Sequence, residues 1–379
     1  MLTSWHSIFF ILGLGVVSIK TYPIIFTQHA GRDTWIALIV ASFITLVYVT
    51  YILWVCRQTK TYDIGVIYRS ALGKPLGNLA LALFGATIFL TLVESSAIEA
   101  SAMRTNFMEE TPLWFLLIWF LTVGVYAASR GYAAVLTVTL ITIFLVFLSG
   151  VNLLFLTSSY KKYKYLLPIM AEGVSAPFLL ATIKLLGAYG AVAIFFPYLI
   201  DIADRKKMTR GIIIGLLLLF QMQVVSMTGT LTTFDIERHN VMWFPKLLQT
   251  QAIRQYPFLE SGELFVMFQV IAGWLTKFII SLFALLKTLE MIGLPTKHLV
   301  YLFGLITFFL STLLTGDLFF LFSLLNDFIY ISLINFMAIP FFVFSLFLLK
   351  GGEKGVRHGD RQSRSTQKWM RSGVTLRRR

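Results

Sequence analysis

The sequence predicts an all-α polytopic membrane protein of about ten transmembrane helices. Three observations carry that prediction. Of the 379 residues, 57% are hydrophobic and only 13% charged, where a soluble domain of this size carries about 25% charged residues. The apolar residues come in runs of about 18 to 20, the length that a hydrocarbon core of roughly 30 Å demands of a helix. The basic residues fall mostly between those runs. Open sheets cannot satisfy their backbone groups in lipid, so the runs are read as helices.

The spans follow in order. Span 1 covers 5–26 and span 2 covers 35–56, ending before Arg57 and Lys60. Span 3, 76–98, lies between Lys74 and Arg104; spans 4 and 5, 113–129 and 132–156, are parted by Arg130. Span 6, 177–200, follows Lys161, Lys162 and Lys164, and span 7, 211–234, lies between Arg210 and Arg238. Spans 8, 9 and 10 cover 263–289, 298–316 and 318–349. The last is long enough for its first turns to lie outside the membrane or along its surface. The segment from Asp235 to Gly262 is the longest outer loop and is amphipathic, with Trp243, Phe244, Leu247, Leu248 and Ile253 among Lys246, Arg254 and glutamines. It reads as an in-plane helix gating the interior, or as packing on the membrane surface.

Ten spans put both termini on one side. The loops of that side, with the tail from Lys350, hold 21 of the 32 basic residues; the other loops hold eight. The positive-inside rule places both termini in the cytoplasm. The transmembrane part is 1–349, in two halves of about 5–156 and 177–349, and 350–379 is a basic cytoplasmic tail expected to be disordered. A polybasic segment after a last span fits an anionic leaflet, so the net charge of +14 points to the lipid bilayer and no nucleic acid. The single cysteine, Cys56, excludes an internal disulfide and a thiolate metal cluster. No catalytic motif, nucleophile–base pair or metal-ligand spacing occurs, so no enzyme, cofactor or metal is expected. The first run lacks a basic flank and a small-residue cleavage site, so it reads as a retained span.

Spans 1 and 6 are expected to be broken. Span 1 contains Gly13, Gly15, Ser18, Lys20 and Pro23; span 6 contains Gly187, Tyr189, Gly190 and Pro197. In each, the first glycine precedes the proline by ten residues. Irregular backbone at membrane depth survives only where it is buried in protein or lines a cavity, and transporters place such breaks in corresponding positions of two repeats. Gly13, Gly15, Ser18, Gly187, Tyr189 and Gly190 are therefore the candidate ligand-binding residues; close helix packing is the alternative for the glycines. Freed amides suit a carboxylate and freed carbonyls an ammonium, which together suit an amino acid.

Several stretches resemble a known family. These are "HAGRDTW" before span 2, "ALGKPLGN" before span 3, "TPLW" opening span 4 and "RGYAAV" opening span 5. "LLPIMAEG" before span 6 and "VMWFPKLLQTQAIRQYPFLES" before span 8 complete the set. Together they resemble the B subunit of endospore germination receptors, the GerB-type spore germination permeases of the amino acid–polyamine–organocation superfamily. The resemblance implies a five-plus-five inverted repeat with discontinuous helices 1 and 6, and residence in the inner spore membrane. It implies A and C receptor subunits as partners and a small-molecule nutrient as ligand. Two positions depart from the family pattern: Glu260 is followed by Ser261 where an arginine is common, and Lys20 stands at a usually apolar position.

Four intramembrane charges stand out: Lys20, Lys184, Lys277 and Glu94. A lysine at mid-membrane costs about 2.5 to 3.5 kcal/mol on insertion scales, so such groups face cavities or partners unless they snorkel to the surface. Snorkelling suits Lys20 and Lys184 better than Lys277, which lies deep in span 8. In the implied fold, span 8 packs on span 1 where many relatives hold sodium, and a fixed ammonium there would tie the two helices. Glu94 can meet an intramembrane lysine, although the sequence favours an interfacial carboxylate in contact with water. Thr182 is a further candidate hydrogen-bonding group, while Trp274 and Phe178 read as packing and Trp35 and Tyr198 as interfacial anchors. A nutrient-sensing receptor subunit leads. An active secondary transporter of amino acids or related solutes is the alternative, and a purely structural subunit a third.

Overall fold

Lipid leaves a chain no external partner for its peptide groups, so each apolar run must close its own hydrogen bonds as a helix. The computed structural model describes residues 2–251, 262–296 and 298–351. The tail beyond residue 351, and the loop stretch with Ile253, Arg254, Glu260 and Ser261, lie outside the described residues. Among the described residues the only β pairing is an isolated bridge between Leu2 and Ile202.

Ten apolar helical segments follow the expected order. Span 1 comprises Ser4–Gly15, Ser18–Thr21 and Ile24–Ala30; span 2 is Thr34–Thr59 and span 3 Lys74–Asn106. Spans 4 and 5 are Leu113–Ser129 and Tyr132–Leu156. Span 6 is Ala176–Tyr189, continued as the 3-10 helix Gly190–Asp201, and span 7 is Arg205–Thr233. Spans 8 and 9 are Glu263–Ile292 and Leu299–Leu314, and span 10 runs from Leu318 to Leu349. Eight are long and apolar enough to cross a membrane; spans 4 and 9 are shorter apolar helices. The expected fold class holds.

The breaks fall in spans 1 and 6, where a five-plus-five inverted repeat puts them. In span 1, Gly13 and Gly15 weaken the helix and the β-branched Val16 and Val17 do not rescue it. Pro23, with no N–H to continue a helix, caps the start of Ile24–Ala30. In span 6 the α-helix stops at Tyr189, and twelve residues of 3-10 helix enclose Pro197. Runs beyond three or four such residues are uncommon. Two features went unanticipated: the amphipathic helix Ile64–Leu72 between spans 2 and 3, and a π-helical turn, Leu333–Ala338, inside span 10.

Spans 1, 6 and 8 are the most buried, whereas spans 5 and 10 turn most of their surface outward. Span 8 packs on spans 1, 3, 4 and 5, and span 1 packs on span 7. The segments that carry the breaks and the intramembrane lysines therefore form the centre of the bundle. At one end, helix Pro245–Gln251 of the long loop packs on spans 7 and 8. Gln249 fastens it by donating to Gly229 O at 3.0 Å and Thr233 Oγ1 at 2.6 Å.

Candidate functional site

The interruption of span 1 at Val16 and Val17 is followed by the short helix Ser18–Thr21, whose Ser18 side chain reaches Lys277 of span 8 and Glu94 of span 3. Ser18, Tyr22, Glu94 and Lys277 meet there. Lys277 Nζ donates to Glu94 Oε2 at 2.6 Å and to Ser18 Oγ at 2.7 Å. Ser18 Oγ donates in turn to Glu94 Oε1 at 3.2 Å, and the Tyr22 hydroxyl donates to the same oxygen at 2.6 Å. The side chains of Lys277 and Glu94 are 2% and 3% exposed, so the pair is closed to solvent. Trp274, one turn before Lys277, stacks on Tyr22 and lies under the ammonium, 5.1 Å from ring centre to Nζ.

The physics of this cluster is a balance. Burying either charge alone is prohibitive, and burying both is tolerable only with close geometry and satisfied hydrogen bonds. Glu94 accepts from three donors and Lys277 reaches two acceptors, so the cluster is neutral and its parts are fixed. It ties three helices at the point where one is discontinuous. Glu94 is thus corrected from an interfacial carboxylate to a buried partner. Its outer flank also borders an apolar cavity of about 170 Å³ between spans 3, 9 and 10, which Asp327 shares.

The remaining candidates lie elsewhere. A side chain at Gly13 would strike Thr276 and Ile280 of span 8, and one at Gly15 would strike Leu219 of span 7. The carbonyl freed at Gly15 is met by Gln223 Nε2 at 2.5 Å. Gly187 faces the Ile329 carbonyl and Gly190 faces Ser332, both on span 10. Ser332 Oγ donates to Gly187 O at 2.7 Å. Tyr189 is buried, its hydroxyl 2.9 Å from Ser42 Oγ, with Phe220 edge-on to its ring. The glycines of both breaks therefore set close helix contacts; the Gln223 side chain meets the freed carbonyl of Gly15, and Ser332 adds a second donor to the Gly187 carbonyl, which already accepts from Gly190 N–H. Of the six candidate ligand residues, the cluster contains Ser18.

Lys184 Nζ lies 2.5 Å from His29 Nε2, linking span 6 to the second half of span 1. Lys20 Nζ donates to Gln269 Oε1 at 3.4 Å and lines a separate cavity. Thr182 Oγ1 bonds within its own helix, to Phe178 O. Tyr198 is corrected from an interfacial anchor: it is fully buried and donates to Ile280 O at 2.6 Å. Sequence reasoning missed Tyr22, although its place next to Pro23 in a broken segment was a usable signal. It also missed Asp327, an exposed carboxylate within the apolar run of span 10.

Comparison with solved structures agrees with this architecture. The chain is similar to a nucleobase-cation-symport-1 family transporter in a closed conformation with bromovinylhydantoin bound, at a TM-score of 0.64 and 13% identity, over 91% of this chain and 78% of that one. It is also similar to the manganese transporter of Eremococcus coleocola in complex with an aromatic bis-isothiourea compound, at 0.62 and 15%, over 89% and 78%. At such identities the likeness establishes the fold alone. No curated protein sequence matches the chain. The profile of a family described as spore germination protein matches residues 4–318, from the first helix to the start of span 10. With that match covering most of its length, this chain belongs to the spore germination protein family.

Proposed function

We propose that the chain is the integral-membrane subunit of a spore nutrient-germinant receptor, which binds a small nutrient, an amino acid by class, and triggers germination. Membership of the spore germination protein family and the transporter fold support a membrane nutrient-binding or transport role. The observation that carries the finer reading is the buried cluster of Ser18, Tyr22, Glu94 and Lys277 at the break in span 1. An amino acid offers a carboxylate to Lys277 and an ammonium to Glu94, so it can enter by exchanging one buried ion pair for two, with no change in net charge. Unpaired buried charge, the largest cost of opening the cluster, is then avoided. The exchange would part spans 3 and 8 while span 1 remains flexible at Val16 and Val17. Receptor A and C subunits in the inner spore membrane would read that change. Both termini of this chain would face the cytoplasm.

Ser18→Ala tests the reading with little disturbance, since it removes one hydroxyl and leaves the ion pair. Hydrogen bonds to charged groups contribute about 1.5 to 3 kcal/mol, so the nutrient concentration for half-maximal germination should rise roughly tenfold or more. Spores with normal levels of the variant and an unchanged dose response would overturn the proposal. The transporter neighbours favour one alternative, net movement of solute by alternating access. Uptake of labelled amino acid into proteoliposomes containing only this chain separates the two, because a sensor subunit binds without accumulating solute.

A further inference from the structure

Ser18 and Lys20 are two residues apart on one helical turn and so point to different sides. Ser18 faces the Glu94–Lys277 pair. Lys20 faces a cavity of about 120 Å³ between spans 1, 5 and 7, capped by the loop helix Pro245–Gln251. Lys161, just beyond span 5, and Lys246, on the loop helix, line the same cavity. Among the described residues, no aspartate or glutamate lines this cavity and no ion pair involves any of these three lysines.

We propose that this cavity is a binding site for one small anionic group, a carboxylate or a phosphate, held by Lys20, Lys161 and Lys246. Three ammonium groups around one space repel one another unless an anion lies between them. Crowding is visible at Lys246, where burial first and the neighbouring Lys161 second lower the ammonium pKa to about 8. The site also has built polar parts. Gln269 is buried, and its two ends join Lys20 Nζ to the carbonyl of Val146, at 3.4 Å each. The buried Ser226 hydroxyl, on the wall of the cavity, has no partner among the described residues. One water needs about 10 to 15 Å³ of such space, so the cavity has room for a small organic anion. The outward-facing Phe147 and Val151 form part of its wall. A soluble anion entering from the loop end and a lipid headgroup entering from the side therefore share the same recognition chemistry.

The test uses the full chain in nanodiscs of phosphatidylcholine and reads the thermal unfolding midpoint. One arm adds acetate or inorganic phosphate at constant ionic strength. The other replaces part of the lipid with phosphatidylglycerol and counts retained lipid by native mass spectrometry. A rise in midpoint is expected in one arm, and which arm responds identifies the source of the anion. Lys20→Met should abolish that rise, yet leave the anion-free midpoint level or higher, because an unpaired buried cation has been removed. Lys246→Gln, on the half-buried rim, should weaken the response about tenfold, the loss of one charged hydrogen bond. A wild-type protein that responds in neither arm, or variants that respond as wild type does, would overturn the proposal. If Lys20→Met fails to fold, the comparison of Lys246→Gln with wild type decides.

Discussion

Replacing Glu94 by Gln keeps the shape of the cluster and removes its negative charge. Lys277 Nζ is 2.6 Å from Glu94 Oε2. At an effective dielectric constant near 20, a pair at that distance attracts by about 6 kcal/mol before the desolvation of both ions is subtracted. Removing one member of a buried pair costs about 3 to 5 kcal/mol, because the other charge stays behind uncompensated. Glu94→Gln should therefore destabilise the chain by that amount, and Lys277→Met by a similar amount. The double variant should be far more stable than the two losses predict when added, since no charge is stranded. A coupling energy of about 2 kcal/mol or more is expected from the double-mutant cycle. Denaturant unfolding of the purified chain in detergent or nanodiscs, followed by tryptophan fluorescence, measures all four corners. Additive single losses within about 0.5 kcal/mol would show that the two side chains are not energetically coupled, and the account of the cluster would be wrong.

Three other perturbations test neighbouring parts of the structure. Gly187→Ala should cost about 1 to 3 kcal/mol, because the added Cβ strikes the Ile329 carbonyl of span 10; a neutral effect in unfolding experiments would contradict that contact. Asp327→Leu should stabilise the isolated chain in a bilayer by up to about 3 kcal/mol, since an exposed carboxylate leaves the apolar run, and a loss of stability would show that Asp327 is paired. His239 is buried near Thr27 and Thr230, and burial lowers its pKa to about 4. The fold holds the ring neutral, so this stability is present above the ordinary histidine pKa near 6.5 and is lost as pH falls from there towards 4. The loss amounts to about 3 kcal/mol, and the wild-type midpoint should fall more steeply than that of His239→Gln over this window.

Much of the fold was legible because lipid imposes one rule on every span. Ten helical segments, their order and the two discontinuities follow from run length and from the placement of Gly and Pro in spans 1 and 6. The helix Ile64–Leu72 was missed because its nine residues are too few to register as a span. The π turn in span 10 was missed although Pro340 follows it: a proline has no N–H to offer the carbonyl four residues back, so Phe336 O is left for the Tyr48 hydroxyl, which donates to it at 2.7 Å.

The site was legible only in part. Run length and hydropathy alone put Ser18, Lys20, Glu94, Lys184 and Lys277 within apolar spans, where a polar group needs a partner. The sequence could not pair them. Glu94 and Lys277 stand 183 positions apart, and only the packing of span 8 between spans 1 and 3 makes one the partner of the other. The same packing turns Lys20 away from the pair towards Lys161 and Lys246, and gives Lys184 to His29. It also turns the glycines of both breaks towards Thr276, Leu219, Ile329 and Ser332. A hydrophobic run specifies that a helix forms and roughly where it starts and stops, because those are local properties of backbone and solvent. Which face of that helix meets which neighbour depends on how side chains from distant segments fill one shared interior, and that is decided only when all ten segments pack together.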